Sequence, residues 1–333
     1  NLDNRVTNLE SATGNGELNE YVIDLKLLDS TTVNVTAGRE IKFNIDWGDG
    51  TVDSNIQHTY TLKEGDSTQF TLKTKDILGQ DLRKCCIAIN KIMFVPQYGD
   101  GYDDDQFDDD GGKFIDFINL KHVGDITGRI RDLSQMFKGC VKLEHPGNLT
   151  EGAEITDRMY EGCTSLKECC KLPSTVKSAV RMYNKCTSLE VAGELNEGLT
   201  DASFMYSVSG VVKMDNPLPS TLKNIDSMFY CCKLKEIDWK VFDNVTIDSA
   251  KNAFAGCNKL VSIKGEINHI KDGTGLLSSC GFTVMPKFAA DNILEIADSI
   301  FGTGIGEYKK LESYGGNTLP NSVKSMKYCF AYT

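Results

Sequence analysis

The chain has 333 residues, a net charge of −11, 40% hydrophobic and 25% charged residues, which describes a soluble globular protein longer than one ordinary domain. It carries no Lys/Arg cluster of the kind a nucleic-acid binder shows, and the acidic balance also disfavours anionic lipid. No apolar run approaches the ~20 residues of a membrane helix, so membrane insertion is not expected.

The first element is a heptad stub. Leu2, Val6 and Leu9 stand four and three apart, and Gly14-Asn15-Gly16 ends the pattern. Residues 1–16 are expected to be the end of a coiled-coil stalk or an ordinary short helix. No secretion signal follows Asn1, so the chain reads as a mature product or a fragment.

Residues 17–98 read as strands. Tyr21–Leu25 and Ile41–Ile45 alternate as half-buried strands do, and Trp47-Gly48-Asp49-Gly50-Thr51 carries an Asp-Gly turn. His58-Thr59-Tyr60 and Gln69–Leu72 follow, then an apolar strand region over 85–95. The WGDGT turn followed by an HxY corner resembles polycystic-kidney-disease-type (PKD) β-sandwiches. The resemblance implies that Asp49 and Gly50 shape a turn and that His58 and Tyr60 pin a corner, without chemistry.

Residues 99–113 are an Asp/Gly-rich loop. Calcium takes several oxygen ligands, and Asp103, Asp105, Asp108 and Asp110 are the candidates, although the string departs from the D-x-D-x-D-G spacing. A mobile acidic loop is the alternative, and no other cofactor is expected. Phe114–Ile118 is expected to resume a strand and open the last unit, 114–333.

That unit repeats. From Gln135 onward an apolar pair is followed by a cysteine and a leucine: Met136-Phe137…Cys140…Leu143, Met159-Tyr160…Cys163…Leu166, Met182-Tyr183…Cys186…Leu189, then Met205-Tyr206 and Met228-Phe229. Successive methionines are 23 residues apart four times running. Ala253-Phe254, Leu276-Leu277, Ile300-Phe301 and Cys329-Phe330 continue the series. A fixed period in this range predicts a solenoid whose units bury their apolar faces against each other. Apolar or small residues recur three after each leucine, at Cys169, Ala192, Ile237 and Ile263, and Leu-Pro steps at Pro173, Pro219 and Pro320 are expected to stop strands. The chain stops within a rung, so further sequence or a covering chain is expected there.

Six of the twelve cysteines share one slot of the repeat, at Cys140, Cys163, Cys186, Cys232, Cys257 and Cys280. That placement favours reduced core thiols over disulfides, with rung-to-rung pairing as the rival. Zinc is not expected, because no CxxC exists and no histidine stands at ligand spacing.

The Met-Phe-x-x-Cys-x-x-Leu units resemble BspA-type leucine-rich repeats of bacterial surface proteins, a family that often carries a PKD-like module before the repeats. The fold class expected is therefore mainly β: a short coiled-coil helix, a PKD-like β-sandwich and a leucine-rich-repeat solenoid. No GxSxG, P-loop or zinc-helix motif is present, so no enzyme is expected. The expected function is recognition or adhesion through strand positions between the core residues: Lys167, Glu168, Glu190, Val191, Lys235, Glu236, Val261 and Ser262. Because the heptad stub resembles segments of phage tail-fibre stalks, and a virion assembles in a reducing cytoplasm that suits free thiols, the carrier expected is a phage virion fibre. It would trimerise through its stalk and meet other virion proteins and a bacterial surface protein or glycan. The alternatives are a bacterial cell-surface adhesin and a purely structural virion or envelope component.

Overall fold

A computed structural model describes residues 19–26, 32–36, 45–55, 57–61, 67–74, 86–94, 114–128, 131–149, 151–302, 312–313 and 315–331. The heptad stub and the aspartate-rich loop, with Asp103, Asp105, Asp108 and Asp110, lie outside them.

The first strands are β1 (Asn19–Lys26), β2 (Thr32–Thr36), β3 (Ile45–Asp46), β4 (Val52–Asp53), β5 (Gln57–Thr61), β6 (Ser67–Thr74) and β7 (Cys86–Phe94). β1 lies antiparallel between β6 and β7, with Ile23 opposite Phe70 on one side and Ile89 on the other. Ile23, Cys86, Ile89 and Ile92 are fully buried, whereas Asp24 takes hydrogen bonds from Gln69 (2.6 Å) and Asn90 (2.8 Å). This is the period-two alternation that a sheet with one covered face requires. β2 and β5 pair antiparallel in a second, two-stranded sheet.

The WGDGT segment folds as a tight corner. Gly48 and Gly50 take φ of 78° and 95°, and a Cβ at Gly48 would stand 1.9 Å from the Gln69 carbonyl oxygen. Asp49 accepts the Thr51 amide (3.0 Å) and meets His58 Nε2 (2.8 Å). His58 stacks on Trp47 at 4.9 Å, and the Tyr60 hydroxyl donates to the Trp47 carbonyl at 2.7 Å. Partial burial pushes the Asp49 carboxyl up, but the Thr51 amide and His58 outweigh it and hold it below its usual range.

β7 is paired on its far side as well. β8 (His122–Val123) and β9 (Ile126–Gly128) run parallel to it, so the first turn of the repeat covers what would be an open sheet edge. Gly124 donates to the Ile89 carbonyl at 2.7 Å in this seam.

Beyond the seam the chain forms stacked rungs. Parallel bridges run Asp132, Ile155, Ser178, Asp201, Asn224, Ser249, Asp272, Ile296 and Ser325. Backbone amides alternate in use: Gln135, Phe137 and Gly139 donate to the next rung, while Met136, Lys138 and Cys140 donate three residues back in their own. Every amide of the corner is thereby satisfied without a regular strand or helix. The alternation forces left-handed backbone two residues before and two after each aromatic, as at Gln135 (φ 60°) and Gly139 (φ 75°).

The aromatics form one column. Phe114, Phe137, Tyr160, Tyr183, Tyr206, Phe229 and Phe254 stack at 5.4–5.7 Å with planes within 14°. Methionines 136, 159, 182, 205 and 228 are buried beside them. The slot cysteines each donate their thiol to the aromatic carbonyl one rung back, at 3.0–3.2 Å. Carboxylates tie rungs together: Asp157, Asp226 and Asp298 each accept a serine hydroxyl and a backbone amide of the following rung.

Three expectations are corrected here. Phe114–Ile118 is a turn rather than a strand, because Asp116 has φ 58° and cannot lie extended; Phe114, Phe117 and Leu120 instead fill the aromatic, cysteine and leucine slots of a rung before Gln135. The strands expected in the repeats are mostly single parallel bridges, and among the described residues longer pairs between rungs occur only between β10 (Glu236–Asp238) and β12 (Ser262–Lys264), and between β11 (Ile247–Ser249) and β13 (Ile270–Asp272). Pro173, Pro219 and Pro320 open turns, each accepting the amide three residues on, with no strand before them to stop.

Candidate functional site

The strand-face residues chosen from the sequence do come together. In one column the Lys167 amide donates to the Glu144 carbonyl, Val212 to Glu190 and Val261 to Lys235. Beside it, His122 bridges His145, Val191 bridges Lys213 and Glu236 bridges Ser262.

The charges of this face are largely spent on each other. Lys167 pairs with Glu144, His145 Nδ1 meets Glu168 at 2.6 Å, and Lys264 meets Glu236 at 2.5 Å. The bond from Lys167 holds the Glu144 carboxyl below its usual range, and the bond to Glu236 raises Lys264. Ser262 also donates to Glu236, at 3.4 Å. The exposed apolar members, Val191 and Val261, are 50% and 53% exposed. Lys121, Glu144, Lys167 and Glu190 alternate in sign at a spacing of 23, a signal visible in the sequence that the choice of site residues passed over.

A second ladder is paired in the same way. Arg131 and Lys177 share Glu154, Lys271 pairs with Asp248, and Lys324 pairs with Glu295. Such exposed pairs are screened by solvent, so they set rung register more than stability.

The buried thiols of the described rungs are not activated. Burial pushes the thiols of Cys170 and Cys232 up to about 11 and that of Cys169 to about 12. A thiol so shifted is almost wholly protonated at neutral pH and a poor nucleophile. Cys170 lies against the Tyr183 hydroxyl, its amide donating at 3.0 Å. Cys231 is the exposed exception among the described cysteines, all of which are free. Among the described residues no group of three or more His, Cys, Asp or Glu side chains is placed to hold a metal, and no helix is long and apolar enough to cross a membrane.

The turn side of the rungs differs from the strand face, and sequence reasoning missed it. Arg181 lies over the Phe204 ring at 4.3 Å, and both residues hold left-handed backbone. Glu161 sits between Lys138 (3.8 Å) and Arg158 (3.9 Å).

No curated protein and no solved structure matches the chain significantly. Residues 214–305 match the family model of the BspA type leucine rich repeat region, in six copies, and so this part of the chain is similar to that family.

Proposed function

We propose that the chain is a non-enzymatic recognition and adhesion protein, a leucine-rich-repeat solenoid displayed at a bacterial cell surface. The BspA-type match over 214–305 carries this reading. The rung pattern of that stretch also recurs from Phe114 to Phe330, with the same aromatic and leucine slots. The match favours the cell-surface adhesin over the phage fibre, which rests on the heptad stub and the free thiols.

Within this reading the chain divides into a stalk end (1–16), a PKD-like β-sandwich (17–98), an acidic loop (99–113) and the solenoid (114–333). The Trp47, Asp49, His58 and Tyr60 corner supports the PKD-like assignment. Ligands would be a surface protein or glycan, and a trimer through the stalk belongs to the phage reading.

Fractionation tests the carrier. Labelling of intact source cells with a membrane-impermeant biotin reagent should tag the protein. Its recovery only in purified virions, as a trimer, would replace the adhesin with the fibre.

A further inference from the structure

The turn side of the middle rungs carries non-glycine residues at both left-handed positions. Two residues after the aromatic, the left-handed position is glycine at Gly139, Gly162 and Gly256. In three consecutive rungs between them it is Lys185 (φ 63°), Val208 (φ 56°) and Cys231 (φ 56°). A β-branched side chain such as that of Val208 is an outlier in this region.

The same rungs place Arg181, Phe204 and Ser227 at the other left-handed position, and the rung before them places Arg158 there. Register hydrogen bonds join the columns: Arg181 to the Ser203 carbonyl, Lys185 to Ser207, and Val208 to Tyr230. Val208 is 41% and Tyr230 42% exposed. The result is one contiguous strip in which Arg158, Arg181 and Lys185 adjoin Phe204, Val208 and Tyr230.

Its charge is only partly spent internally. Glu161 is shared by Arg158 and Lys138, and among the described residues no carboxylate pairs with Arg181 or Lys185. This contrasts with the ladders on the other columns, where cation meets anion rung by rung. Stacking on Phe204 holds one face of the Arg181 guanidinium and leaves its planar N–H fork to bind a carboxylate.

From this we infer that the turn strip is a docking surface for an acidic polypeptide segment of a partner, its carboxylates on Arg158 and Arg181 and its apolar side chains on Val208 and Tyr230. The inference rests on the recognition reading above and moves the contact from the strand face to the turn side. Charge complementarity selects the occupant: the strip is basic within a chain of net charge −11. A long polyanion such as nucleic acid would be repelled by the whole, whereas a short segment meets only the strip. Arginine and aromatic residues on a rigid frame are also the composition of interface centres. The apolar half of the strip calls for apolar side chains, which polypeptides have and acidic glycans lack.

The test uses the whole chain and a fluorescein-labelled pool of short peptides composed of Asp, Glu, Phe and Leu. A pool with Lys and Arg in place of the acids is the control, and polygalacturonate is the competitor. The acidic pool should bind, more weakly as salt rises. The pair Arg158→Glu and Arg181→Glu should weaken binding about tenfold or more, while Lys235→Glu on the strand face leaves it unchanged, all variants melting as the parent does. Equal binding of the two pools, parental binding by the arginine variant, or displacement by polygalacturonate would overturn the inference. Peptide binding without adhesion of the chain to cells would sink the proposed function and leave the strip standing; adhesion unchanged in a variant that has lost peptide binding would sink the strip as the adhesive surface.

Discussion

Replacing Gly124 by alanine should unzip the seam between the antiparallel sheet and the rungs. A Cβ there would stand 2.0 Å from the Asn90 carbonyl oxygen and 2.6 Å from its carbon. These are backbone atoms, so no rotamer change relieves the overlap, and β7 must part from the first rung by about 1.4 Å to restore ordinary contact. The hydrogen bonds that span the seam include Gly124 to the Ile89 carbonyl (2.7 Å), Ile92 to the Asp125 carbonyl (3.2 Å) and Thr127 Oγ1 to the Ile92 carbonyl (3.2 Å). At about 0.5–1.5 kcal/mol each, with partial exposure of the buried Ile89, Ile92, Val123 and Ile126, the loss is about 2–4 kcal/mol. Calorimetry should show the sheet melting earlier by roughly 5–15 °C, separated from the rungs. Gly162→Ala is the control. Its backbone is left-handed (φ 78°), unlike that of Gly124, and its nearest neighbour is Gly139 at 3.8 Å, so a dihedral penalty of about 1 kcal/mol applies without any overlap. If Gly124→Ala melts within about 0.5 kcal/mol of the parent, with the Ile92 amide equally protected from exchange, the seam does not couple the two parts.

Other outcomes follow from single contacts. Tyr183 and Tyr206 accept the amides of Cys170 (3.0 Å) and Gly193 (3.1 Å), each thirteen residues earlier; Phe229 faces Asn216 across a small cleft at the same offset, so Phe229→Tyr should hold or raise stability by up to about 1 kcal/mol in urea titration. A drop of more than that would mean the cleft cannot take a hydroxyl. Asp49 has a lowered pKa in the folded state, so its contribution is full above the unfolded carboxylate value and is lost as pH falls through the lower folded one. Asp49→Asn should therefore flatten the acid side of the stability–pH curve; an unchanged acid limb would remove Asp49 from the corner. Ellman's reagent should find Cys231 fast in the native chain, and Cys231→Ser should remove one fast equivalent. Equally fast reaction at Cys163 or Cys186 would contradict the packed core.

The repeat was legible because each slot has one demand. Met136, Tyr160, Cys186 and Leu166 stand in slots that recur every 23 residues, and all are buried. The rung at Phe114 escaped because Phe117 fills the cysteine slot, although its offset of 23 from Phe137 could have exposed it. The left-handed columns were legible only where glycine marks them. Arg181, Phe204 and Val208 give no local signal, since their backbone is imposed by amides shared between rungs. For the same reason the strand face drew attention that the turn side did not: alternation in sequence reveals which side chains face out, but not which charges neighbouring rungs neutralise.

Adhesion is the direct measurement of the central claim. Fluorescently labelled whole chain, titrated onto live cells of the native setting, should bind saturably and be displaced by unlabelled chain but not by heat-unfolded chain. Non-saturable or absent binding by a correctly folded chain would contradict a recognition role for the rungs.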